Sequence, residues 1–267
     1  KEDSIVMDSK TGLVLSGGGA RGIAHIGVLQ ALDDAGIEID MISGCSAGAI
    51  VGALYAAGVT PEKILGFIEH KSLYGIVKMG LPKKGMMELS YFREVLHKEI
   101  KSDRFDSLKK PLYVAVTNLN KGGCEIKSKG DHLIDYIIAS ASVPMVFHPV
   151  EIEGHLYVDG GVINNLPTEP LRDKCSTLIG VNVNTVDYVA HISGITDVGL
   201  RCMDISFKEH VQARLQICDM AIEPAVSKFG IFTLNKAREI YQAGLEAAQR
   251  AIAAYQEKSA HGTSASG

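Results

Sequence analysis

Two glycine-rich turns and one carboxylate are the residues whose types and spacing could do chemistry. Gly44-Cys45-Ser46-Ala47-Gly48 is a G-x-S-x-G. Between a strand and a helix, such a turn exposes a serine hydroxyl, its glycines removing Cβ clashes while the helix N-terminus favours developing negative charge. The plainer use of the same residues is a turn whose serine caps the helix. Gly17-Gly18-Gly19-Ala20-Arg21-Gly22 follows the apolar run Leu13-Val14-Leu15. Unblocked N–H groups around Gly18 and Gly19 at a helix start can hold the oxyanion formed when Ser46 attacks an acyl carbon. Asp159, after Leu156-Tyr157-Val158 and before Gly160-Gly161, is the carboxylate chosen as base for Ser46. Burial would raise its pKa towards useful basicity, and the glycines let the chain turn sharply. Alone, Asp-Gly-Gly marks a hairpin turn.

Each feature has a competitor. Gly17 to Gly22 also satisfies G-x-G-x-x-G, the dinucleotide-binding loop of a Rossmann oxidoreductase, with Glu38 or Asp40 as the ribose-binding acid. Against it, the second strand continues past Asp40 into Gly44-Cys45-Ser46, so both glycine turns fall at carboxyl ends of strands on one sheet edge. A histidine could complete a triad, since Ser46, Asp159 and then His191 or His210 follow the chain order of α/β-hydrolases. His25, inside the first helix, reads better as a packed or capping imidazole.

The elements that must position these residues follow from periodicity. Leu13–Leu15 is a strand, the apolar positions from Ile23 to Leu32 a helix ending at Gly36, Ile37–Ser43 a second strand and Ala47–Ala57 a small-residue helix. This βαβα unit implies a parallel sheet. Thr60-Pro61 opens a helix by a cap and a proline at the first helical position, and Met86–Lys98 is another. Residues 71–85 between them, with Gly75, Gly80, Pro82 and Gly85, are expected as a mobile loop. Leu112–Thr117 and Cys124–Ser128 form a hairpin, Asp131 caps a helix stopping near Ser142, and Val150–Glu153 with His155–Val158 turn at Gly154. Leu178–Val183 is a buried strand, and the C-terminal third is mostly helical, notably Asn235–Gln256. The expected organisation is a polar extension over 1–12, one α/β domain over 13–257 and a flexible tail over 258–267.

Composition agrees with a single catalytic domain. The 267 residues are 46% hydrophobic, enough for a sizeable core, and the net charge of −4 with scattered basic residues gives no footprint for nucleic acid. Five cysteines without C-x-x-C spacing argue against a disulfide framework or a zinc site. No apolar run is long enough to cross a membrane. The expected location is cytoplasmic, with a removed N-terminal signal left open because the first residue is Lys1.

Four ordered blocks resemble the patatin-like phospholipase family: Gly17 to Gly22, Gly44 to Gly48, Ala139-Ser140-Ala141-Ser142-Val143-Pro144 with Phe147 and Pro149 beyond, and Asp159-Gly160-Gly161. Met220 to Pro224 and the final helix are similar to bacterial members. The resemblance implies a three-layer α/β/α fold with a mostly parallel central sheet. It also implies a Ser46–Asp159 dyad without histidine, an oxyanion hole from Gly17–Gly19, and hydrolysis of fatty-acyl esters without metal or cofactor. Arg21 matches the family's basic loop position, for anion binding or loop bracing, and bracing is favoured slightly. Cys45 stands where the family more often has threonine. The expected partner is an acyl lipid, with transient membrane-surface contact and an undetermined oligomeric state. A catalytically idle lipid-binding module is the further alternative.

Overall fold

The computed structural model describes residues 10–77 and 84–263. Its strands are β1 Thr11–Leu15, β2 Met41–Cys45, β3 Leu112–Asn118, β4 Gly123–Lys127, β5 Val150–Ile152, β6 His155–Asp159, β7 Thr177–Val181 and β8 Met220–Ile222. The helices are α1 Ile23–Asp34, α2 Ala47–Ala56, α3 Pro61–Val77, α4 Lys84–Glu99, α5 Leu133–Ser140, α6 Glu169–Arg172, α7 Gly194–Leu215 and α8 Ala237–Thr263.

These strands form one sheet in the order β5-β6-β3-β2-β1-β7-β8, with β4 also paired to β3. The five strands from β3 to β8 run parallel, while β4 and β6 are antiparallel to β3. Period-two alternation splits β1 between two cores. Leu13 and Leu15 join the larger one, which includes residues of α1, α2, α5 and α8, while Val14 joins a smaller one with Leu171 and with Val211 and Leu215 of α7. The layers are therefore α/β/α, unequal in size.

The pairing of β3 sets up the site. Along one edge, β2 covers it from Leu112 to Ala115, and β6 takes over the same edge at Val116. The other edge is occupied by β4. Cys45 thus lies opposite Ala115 and Asp159 opposite Val116. The ends of β2 and β6 meet head-on.

Several boundaries differ from expectation. β1 begins at Thr11, inside the expected extension, because the Thr11 N–H donates to Asp40 Oδ2 at 2.7 Å. β2 is confined to Met41–Cys45. Residues 71–77 continue α3 and residues 84–85 open α4, so only 78–83 of the expected loop lies outside the described residues. A glycine inside a helix costs about 1 kcal/mol, a penalty that a long helix absorbs at Gly75. Asp131 does not cap α5: it pairs with Arg104, and Asp103 Oδ1 instead accepts the Ile134 N–H at 2.6 Å. α8 continues to Thr263, into the expected tail. β8 was not expected as a strand, being too short to show a period.

Candidate active site

Ser46 is the residue between β2 and α2, with φ 52 and ψ −122. A non-glycine residue held there costs about 1–3 kcal/mol and persists only where its surroundings impose it. The Ser46 N–H donates to Ser140 Oγ at 2.8 Å, and the Ser140 hydroxyl donates to the Ala115 carbonyl at 2.7 Å. A side chain at Gly48 would collide with the Leu15 and Ser16 carbonyl oxygens, so glycine is what lets α2 start against the end of β1. The Ser46 side chain makes no capping bond to α2. It lies beside the Asp159 carboxyl, close enough to favour that group's ionised form.

Asp159 is 4% exposed. Its Oδ1 accepts the Gly161 N–H at 2.7 Å, and the Cys45 thiol approaches the same oxygen at 3.6 Å. Its backbone N–H donates to the Ser142 carbonyl at 3.0 Å, and its carbonyl accepts the Thr117 hydroxyl at 2.9 Å. Burial pushes the carboxyl up to about 6, against the hydrogen bonds from Ser46, Gly161 and Cys45, which favour the ionised form. The end of α5 thus holds both turns, Ser140 fixing the serine and Ser142 the carboxylate. The sequence marked these serines only as part of a family block.

The first glycine loop supplies fewer free amides than expected. The Gly17 N–H is taken by the Asn165 carbonyl at 3.1 Å, and the Ala20 N–H by the Ile231 carbonyl at 2.8 Å. Among the described residues, the Gly18 and Gly19 N–H groups have no protein acceptor, and both residues line the cavity above Ser46. Arg21 is turned into the protein, its Nε donating to the Phe229 carbonyl at 2.8 Å and its Nη1 to Asn184 Oδ1 at 3.0 Å. Asp204 of α7 lines the same cavity, and burial raises its carboxyl against the pull of Arg21 and Arg201. No sequence signal pointed to Asp204.

The competing arrangements do not assemble. His191 and His210 are exposed, and among the described residues no histidine lines the cavity. His25 is fully buried, its Nε2–H donating to the Ser16 carbonyl at 2.8 Å, and burial lowers it to about 4, keeping the ring neutral. Asp40 precedes β2, at the end of the sheet opposite the glycine loops, where its carboxylate binds Thr11. A ribose-binding acid must end that strand, so the oxidoreductase reading of Gly17–Gly22 is overturned. Asp103, His132 and Asp135 bring ligand-type atoms together, but they lie at the start of α5, where Asp103 caps the helix and Asp135 pairs with Arg93.

Ser46 opens into a cavity of about 150 Å³. Ala47, Ile50, Val51 and Leu54 form one wall, with Phe67 of α3 and Phe92 of α4 opposite or beyond. Seven residues of helix rise about 10 Å, so this apolar face leads well away from the serine. Leu200, Met203 and Phe207 of α7 line the cavity as well. α7 also carries apolar residues on its outer side, Ile195 at 88%, Ile205 at 55% and Val198 at 50% exposed. Among the described residues, no helix is long and apolar enough to cross a membrane.

Comparison with known proteins agrees with this geometry. The family model described as "Patatin-like phospholipase" matches residues 13–172. The chain is 30% identical over 270 residues to "Lysophospholipase nte1" of Aspergillus fumigatus, covering 87% of this chain and 17% of that protein. It is 33% identical over 184 residues to "Patatin-like phospholipase domain-containing protein 6" of Homo sapiens, covering 66% of this chain and 13% of that protein. The chain therefore spans about a sixth or less of the length of these relatives. The crystal structure of VipD from Legionella pneumophila superimposes with a TM-score of 0.54 at 17% identity, over 93% of this chain and 67% of that one. The family match takes in the first glycine loop, the serine turn and the Asp159 turn: this chain belongs to the patatin-like phospholipase family.

Proposed function

We propose that this chain is a lipid acyl hydrolase of the phospholipase A, lysophospholipase or esterase type, working through a Ser46 acyl-enzyme. The observation that carries the reading is the Ser46 hydroxyl beside a buried carboxyl, both lining one largely apolar cavity. Ser46 Oγ attacks the ester carbon while its proton passes to Asp159, and the carbonyl pair moves onto oxygen. The Gly18 and Gly19 N–H groups receive that oxyanion, each such donor being worth about 3–4 kcal/mol. As the ester C–O bond breaks, Asp159 returns the proton to the leaving alcohol. Water then repeats the sequence on the acyl-enzyme. An Asp159 near neutrality suits both directions of transfer.

The α2 wall is the natural place for the acyl chain, and the family relatives named as lysophospholipases support a glycerophospholipid ester as substrate. Arg21, already spent on Phe229 and Asn184, braces the loop rather than binding an anion. Contact with a lipid surface is assigned to α7, whose inner face lines the cavity and whose outer side exposes Ile195, Val198 and Ile205.

The test is a panel of acyl esters varied in head group and chain length, assayed with wild type and Ser46→Ala. Long-chain hydrolysis lost in Ser46→Ala supports the reading. Hydrolysis that survives the substitution, or wild type inactive on every ester as an idle lipid-binding module would be, overturns it.

A further inference from the structure

Asn165 is 4% exposed, lines the cavity, and its Nδ2 has no hydrogen-bond partner. A buried amide donor left unpaired costs about 1–3 kcal/mol, which a folded protein tolerates chiefly where a ligand will use it. The position of the carboxamide is unusual. Its Oδ1 lies 2.4 Å from where a Cβ on Gly17 would stand, a position that is itself 3.1 Å from Ser46 Cβ. A side chain at Gly161 would stand 2.9 Å from the same Asn165 oxygen and 2.9 Å from Asp159 Oδ1. The carboxamide is therefore wedged between the first glycine loop and the Asp159 turn, beside both reacting groups, in room left by two absent side chains. The backbone of Asn165 is separately committed, its carbonyl accepting the Gly17 N–H.

We infer that the Asn165 side chain is a further catalytic residue, whose NH₂ group hydrogen-bonds the negatively charged oxygen of the tetrahedral intermediate on Ser46. The inference rests on the Ser46–Asp159 reading and completes its oxyanion hole. With the Gly17 amide consumed by Asn165, two backbone donors remain, and the carboxamide adds a third. A half-turn about Cβ–Cγ exchanges the two ends of a carboxamide, so an anion forming alongside draws the NH₂ end to itself. A neutral ester carbonyl draws it less, so the contact strengthens as charge develops and acts on turnover rather than on substrate binding.

The experiment compares wild type, Asn165→Ala, Asn165→Asp and Ser46→Ala on one long-chain acyl ester. Inhibition by an alkyl trifluoromethyl ketone, which forms an anionic adduct with an active serine, is measured alongside. In Asn165→Ala the expected result is kcat down about 10²–10³-fold, KM within threefold of wild type and an unchanged melting temperature. Inhibition should weaken by a similar factor. Asn165→Asp, of the same shape but without a donor, should be no better. Wild-type inhibitor affinity in Asn165→Ala, whatever its kcat, overturns the inference and leaves Asn165 a packing residue. Activity surviving in Ser46→Ala would instead overturn the dyad, so the two failures are distinguishable.

Discussion

Cys45 and Asp159 face neighbouring residues of a single strand, Cys45 opposite Ala115 and Asp159 opposite Val116. Because β2 and β6 share one edge of β3 end to end, the serine that follows Cys45 meets the carboxylate that ends β6. Two segments over a hundred residues apart in sequence are thereby registered by main-chain pairing, and the cysteine itself becomes a ligand of the carboxylate. The strained Ser46 backbone and the buried Asp159 charge are both costs to folding that this register sustains.

Replacing the carboxylate should stabilise the protein while disabling it. Well below the ordinary value of 3.8 the Asp159 carboxyl is protonated in folded and unfolded chains alike, so Asp159→Asn changes little there. Between the ordinary value of 3.8 and about 6 the unfolded chain has lost its proton while the folded one keeps it, so wild-type stability declines as pH rises. Above 6 the deficit is complete, on the order of 3 kcal/mol at most. Melting temperatures of the two proteins should converge towards about pH 3 and separate in favour of Asp159→Asn by pH 7. Turnover of the variant should fall about 10²–10⁴-fold.

Ser140→Ala strips the Ser46 N–H of its acceptor and the Ala115 carbonyl of its donor, both in buried surroundings. The expected loss is about 1–3 kcal/mol of stability, read by chemical denaturation. Turnover should fall more than this implies for other buried serines, because the turn presenting Ser46 loosens. Ser142→Ala is the control: its hydroxyl bonds only the Ile138 carbonyl, and its own carbonyl still holds Asp159.

Cys45→Ala removes a donor that favours the ionised form of Asp159. The acid limb of the kcat/KM profile should move to higher pH in Cys45→Ala, and back or lower in Cys45→Ser, whose hydroxyl is the stronger donor. Profiles that superimpose in all three proteins would show that the thiol has no hold on the carboxylate.

On α7, Ile195→Asp and Ile205→Asp place charge on the outer stripe without touching the cavity-lining face. Each buried apolar side chain contributes about 1.5–3 kcal/mol, so binding to phosphatidylcholine vesicles should weaken about tenfold or more per substitution. Hydrolysis of a short, water-dispersed ester should be unchanged. Equal vesicle binding by wild type and the double variant would remove α7 from the lipid contact.

Much of this was legible in local sequence. The two glycine turns sit after apolar runs and before helical ones, which is enough to place Ser46 and Gly18 at the same sheet edge, whereas Asp159 with its two glycines reads alone as a hairpin turn and pointed to a base only in combination with them. What sequence could not supply was long-range register. Nothing local says that Asn165 consumes the Gly17 amide, that Ser140 rather than solvent receives the Ser46 N–H, or that Asp40 is tied down at the far end of the sheet. Helix continuity through Gly75 was missed because glycine is a weak breaker when the surrounding residues propagate the helix. The three-residue β8 was missed because pairing with β7, not any pattern of its own, makes it a strand.

If Asp159 takes the proton of Ser46, the rate at which an alkyl fluorophosphonate labels Ser46 measures that step without substrate turnover. Followed across pH in the wild type, labelling should rise with a midpoint near the Asp159 value of about 6 and be confined to Ser46. In Asp159→Asn it should become slow and lose that inflection. Labelling of Asp159→Asn at the wild-type rate, with the inflection intact, would contradict the account.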